Sequence, residues 1–149
     1  MKNVLLIISA IILILVVTVV VRFVSQKPLV KNELTLRGSI FKVEVADTEL
    51  SRMRGLSGRQ SLGKDEGMLF MFPVSAKYTF WMKGMKFPLD FVWIQNGYVM
   101  GVTTNVPTPT STLDFATYGP PSSVNQVLEV NAGTAERLGI KVGDAAELK

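Results

Sequence analysis

Between residues 40 and 46 the chain reads IFKVEVA. Phe41, Val43 and Val45 fall on one side, and Ile40, Lys42, Glu44 and Ala46 on the other. A period of two predicts a half-buried first strand. GMLFMF (67–72) predicts a short apolar strand closed by Pro73. YTFWMK (78–83) and LDFVWIQ (89–95) predict two strands joined by GMKFP, and Asn96-Gly97 is a hairpin signal leading into YVMGVTT. VLEV (127–130) and the residues after the Gly143-Asp144 turn predict two more. Two short helices complete the pattern. TELSRMR has Asp47 as N-cap, Glu49 in the first turn and Gly55 as stop, while AGTAERL ends at Gly139 with Ile140 packing back.

Residues 105–125 hold four of the seven prolines and predict a long irregular loop. No internal repeat occurs. The expected architecture over 39–149 is therefore a single α+β domain, strand-dominated. It would be a curled antiparallel sheet or open barrel with two short helices.

Ahead of this domain the pattern changes. Residues 4–21, VLLIISAIILILVVTVVV, carry no charge. At helical rise they cover roughly 27 Å, and about 31 Å if extended to Val24 with Arg22 snorkelling. That length predicts a transmembrane helix over 4–24, and no small-residue cleavage site follows it. Residues 25–38 are polar and read as a tether. Arg22, Lys27, Lys31 and Arg37 outnumber Lys2, which by the positive-inside rule favours a cytoplasmic domain. A span beginning at residue 4 nevertheless behaves as a signal anchor, and an extracytoplasmic domain is the orientation expected.

Composition removes much chemistry. The chain has no cysteine and no histidine, which excludes thiol nucleophiles, serine–histidine hydrolysis and histidine-ligated zinc. No metal site and no cofactor are expected. Outside Lys2 and Arg22 the charge balance is mild, which does not argue for nucleic acid.

The candidate chemistry sits in YTFWMKGMKFPLDFVWI (78–94), where Lys83 and Asp90 interrupt an apolar run. If the two predicted strands pair, residues 83 and 90 stand opposite one another at ion-pair distance. Trp81 and Trp93 would then be core. Alternatively Trp81, Lys83 and Asp90 form part of a ligand site, with the indole as platform and the charges setting orientation. Arg52, Arg54 and Arg59 cluster around the end of the first helix. Either these guanidinium groups hold a carboxylate or phosphate, or, the reading favoured, Arg54 pairs with Asp65 or Glu66 while Arg52 and Arg59 are solvated.

GLSGRQSLGKDEGMLFMFP, FWMKGMKFPLDFVWI and YGPPSSVNQVLEVNAGTAERLGIKVGD together resemble the uncharacterised bacterial and archaeal family called domain of unknown function 192. The similarity runs from about Phe41 to Leu148. The resemblance implies a small, mostly β domain with short helices, often behind an export signal or anchor, and supplies no activity. Its polar motif positions fall on Arg54, Asp65, Glu66, Lys83 and Asp90. The family pattern usually has Asn-Thr after Trp-Met-Lys, where this chain has Gly84-Met85.

The function expected is a membrane-anchored binding or interaction module at the cell envelope. Its ligand, an envelope polymer or another protein, would rest against Trp81 and Tyr118 beside Arg54, Glu66, Lys83 and Asp90. The alternative is an enzyme with Asp90 or Glu66 as base and Lys83 or Arg54 as electrostatic stabiliser.

Overall fold

The computed structural model describes residues 7–8, 11–15, 31–111 and 116–149. Residues 7–8 and 11–15 are helical. The rest of the predicted span over 4–24 lies outside the described residues, as does the first part of the tether. Among the described residues no helix is long and apolar enough to cross a membrane.

After these the described residues form nine strands and two short helices. They are β1 (Lys31–Leu36), β2 (Ser39–Ala46), α1 (Glu49–Arg54), β3 (Glu66–Ala76), β4 (Phe80–Trp81), β5 (Leu89–Gln95), β6 (Tyr98–Val106), β7 (Thr117–Tyr118), β8 (Val124–Asn131), α2 (Thr134–Leu138) and β9 (Ala146–Leu148). β1 corrects the expected tether. Leu34 and Leu36 are buried and alternate with Glu33 and Thr35, so the domain begins before residue 39.

Seven strands form one sheet in the order β6-β5-β8-β3-β2-β1-β9. The sheet is mixed rather than wholly antiparallel, because β2 and β3 run parallel, Val43 opposite Gly67. α1 lies in the crossover between them. Thr48, not Asp47, caps α1, in a reciprocal capping box with Ser51. The sheet curls until its two ends meet at the Tyr98–Ala145 bridge. There the Ala146 N–H donates to the Gly97 carbonyl at 2.8 Å. The result is a strand-dominated open barrel.

Every residue of β5 from Leu89 to Ile94 is buried, because the sheet is covered on both sides. Val92 and Ile94 face one core with Leu34, Phe41, Leu69 and Leu128. Phe91 and Trp93 face a second with Met68, Phe70, Met82 and Val127. Alternate residues of β5 thus go to opposite cores, as a period of two dictates.

The second core explains why residues 78–83 do not pair with 89–95. β5 already has β6 on one side and β8 on the other, so it offers no free edge. Residues 78–83 instead lie across the second core, with only Phe80–Trp81 extended, paired to β7. Phe80 drives its ring among Phe70, Phe91 and Trp93, at centroid separations of 5.0, 5.7 and 5.6 Å. Such aromatic pairs contribute roughly 0.5–1.5 kcal/mol each beyond the area they bury. β3 also runs on through Pro73, and the shift in its pairing with β8 between Met71 and Ala76 accommodates the missing N–H.

Candidate functional site

The ion pair expected between Lys83 and Asp90 does not form. Asp90 is fully buried on β5 and faces α2. One carboxylate oxygen accepts from the backbone N–H of Asn105 at 2.8 Å and of Gly133 at 3.2 Å. The other accepts from Ala135 N–H at 2.8 Å. α2 has no side-chain cap of its own, so Asp90 supplies from the sheet the acceptor that its first turn lacks. Lys83 is exposed and projects over the Trp81 ring, its Nζ 5.4 Å from the centroid. Opposite charges in an apolar run thus have separate explanations: one is a buried peg, the other a solvated cation on an indole.

A concave site among the described residues lies elsewhere, between α1 and the 78–85 segment. It is a cleft of about 260 Å³. Phe70, Phe72, Tyr78, Phe80 and Trp81 contribute rings to its lining, and Leu56 and Met85 add apolar surface. Tyr78 stacks on Phe72 with centroids 3.6 Å apart, which fixes that wall. Trp81 remains 53 % exposed, so much of its surface is available to a ligand. Arg52 and Arg54, at the end of α1, also line the cleft. Arg52 is not solvated as expected. Its guanidinium donates to the carbonyls of Asp47 and Met71 and lies 5.2 Å from the Phe72 centroid.

Among the described residues one carboxyl lines this cleft, and sequence reasoning missed it. Glu129, on β8, is 5 % exposed and stands beside Met68 and Phe91 in the sheet. Among the described residues no donor or cation meets its carboxyl. Burial alone pushes the group up to about 8, since the charged form loses hydration that nothing replaces. The signal was present as VLEV, a lone acid in an otherwise apolar strand, whose period places Glu129 with buried Val127.

The other expected site residues scatter. Arg54 and Trp81 line the cleft together, and Lys83 flanks Trp81 from outside. Tyr118 pairs with Phe80 across the β4–β7 ladder and packs on Phe91 at 5.9 Å, outside the cleft lining. Glu66 starts β3, accepting from Gly63 N–H at 3.2 Å. Arg59, also expected to be solvated, makes a bidentate pair with Glu44 at 2.7 and 2.6 Å. Its guanidinium is raised by that hydrogen bond, against the opposing effect of burial.

These features define a class: a small curled-sheet domain with an aromatic cleft floored by an unpaired acid. The chain belongs to the family known as domain of unknown function 192, described as "Uncharacterized ACR", which matches residues 32–148. Crystal structures similar to it include two of about one-third identity. A protein of unknown function from Novosphingobium aromaticivorans is 33 % identical with a TM-score of 0.71, covering 77 % of this chain and 83 % of its own. A proposed transcription regulator from Sinorhizobium meliloti is 32 % identical with a TM-score of 0.74, covering 83 % of this chain and 97 % of its own. No curated protein matches.

Proposed function

We propose that this chain is a membrane-anchored, extracytoplasmic binding module that takes its ligand at the cleft between α1 and residues 78–85. The observation that carries the reading is the cleft itself. Aromatic walls with few polar groups are the common make-up of small-ligand sites, and Trp81 keeps half its surface uncovered beside them. The uncharged run over 4–21 supports the anchor.

The carboxylate–lysine enzyme is the weaker reading. Both Asp90 oxygens are occupied by backbone N–H groups, and Glu66 and Lys83 do not line the cleft.

Calorimetric titration of the full-length chain in polyoxyethylene detergent tests the proposal, with soluble cell-wall glycan fragments and envelope-derived peptides as probes. Saturable binding weakened about tenfold or more in Trp81→Ala, a loss of about 1.4 kcal/mol, is expected, with Lys83→Met close to wild type. Absence of heat with every probe, or binding indifferent to Trp81, contradicts it.

A further inference from the structure

The floor of the cleft defines the chemistry of what it holds. We propose that the cleft captures a soluble organic ammonium ion, its charge set against the Glu129 carboxylate and its apolar body held by Phe80, Trp81 and Met85. This rests on the reading of the cleft as a binding site and adds the class of ligand.

Three observations converge. First, Glu129 is buried in the cleft lining, and no described residue offers it a donor. A buried carboxyl without partners is costly to maintain, and an ammonium supplies both the missing donors and the missing charge. Second, the surrounding rings suit a cation, because the negative face of an aromatic ring attracts positive charge. Two rings of the lining already do so, Phe72 toward Arg52 and Trp81 toward Lys83. Third, about 260 Å³ falls below the span of drug-sized pockets, roughly 300–1,000 Å³, and admits a small amine.

The charged and titratable groups facing Glu129 are few. α1 contributes Arg52 and Arg54, and the 78–85 segment contributes Tyr78, with Lys83 beyond Trp81. Arg52 directs its donors to the carbonyls of Asp47 and Met71. Neighbouring β3 and β5 present Met68 and Phe91 beside Glu129. Among the described residues Glu129 is the one carboxyl in the cleft lining. With its proton held to about 8, capture at neutral pH expels that proton to solvent and leaves carboxylate and ammonium as the bound pair. Affinity then rises about tenfold per pH unit below that value and levels off above it, until the amine itself deprotonates near ~10.

The test titrates n-butylammonium chloride and n-butanol, by calorimetry from pH 6 to 9, into the full-length chain in polyoxyethylene detergent. Butylammonium is expected to bind at least tenfold more tightly than butanol. Its affinity should climb with pH up to about 8, with nearly one proton released per ion at pH 7. Glu129→Gln, checked for folding by thermal melting, should lose the preference for the amine. If that variant fails to fold, the pH profile and the butanol comparison on wild type still decide. Equal binding of alcohol and amine, or an amine preference retained in Glu129→Gln, overturns the ligand class. No binding of the amine overturns it too; a glycan or peptide that still binds through Trp81 would then leave the cleft reading intact, and silence of every probe would remove both.

Discussion

Glu129 costs the domain stability, and the sign of that cost makes it measurable. An unfolded glutamate releases its proton near ~4.3, whereas the folded one holds it to about 8. Between those values the native state binds the extra proton, so stability falls as pH rises, by at most about 1.4 kcal/mol per unit, and flattens above the upper value. Glu129→Gln removes this dependence. Urea unfolding should show the variant gaining on wild type progressively from about pH 4.5 to about 8, with no further gain beyond. A margin independent of pH contradicts the assignment. At this scale Asp90 and Glu129 pose the same puzzle in sequence, an acid in an apolar strand. Their fates differ because three backbone N–H groups reach one and none reaches the other, and those donors come from segments 15 to 45 residues away. Local pattern flags the anomaly but cannot say which partners the fold will deliver.

At the scale of elements, Asp90 joins β5, the end of β6 and α2. α2 has five residues and no cap of its own, so it depends on this contact and on Ile140, whose N–H returns to the Ala135 carbonyl at 2.9 Å. Asp90→Ala leaves three backbone donors without acceptors. It is expected to destabilise the domain by about 2–4 kcal/mol and to speed hydrogen exchange across 133–139, while ligand affinity at the cleft stays unchanged at a temperature where the variant is folded. Lost affinity without lost stability would return Asp90 to the site. Helix stops, the Asn96-Gly97 hairpin and the alternation of β2 were legible because each is written within a few residues. Pairing was not: 78–83 has the composition of a strand but meets a sheet whose edges are taken, and becomes a cover. Two glycines mark the consequences. Gly67 admits no side chain, since a Cβ there would lie 2.9 Å from the Glu129 carbonyl oxygen. Gly84 adopts a φ of +74° at the turn, a conformation asparagine also tolerates. The family's usual Asn therefore fits the same turn, while Met85 beside it adds apolar surface to this chain's cleft.

At the scale of the molecule, one curled sheet separates two cores, and the cleft exists because the second is roofed by irregular chain. Resemblance to the family implied the domain and its β-rich character from sequence; the parallel β2–β3 pair, the near-closure at Tyr98–Ala145 and the site itself depended on long-range pairing that periodicity does not encode. Burial of Glu129 beneath that roof is what holds its proton. The most direct measurement is a carbon-13 NMR titration of the full-length chain with labelled glutamate carboxyls, the Glu129 signal being identified by its absence in Glu129→Gln. The account predicts a midpoint of about 8 in the unliganded protein, displaced downward by saturating butylammonium. A Glu129 midpoint in the ordinary range near ~4.3 would contradict it.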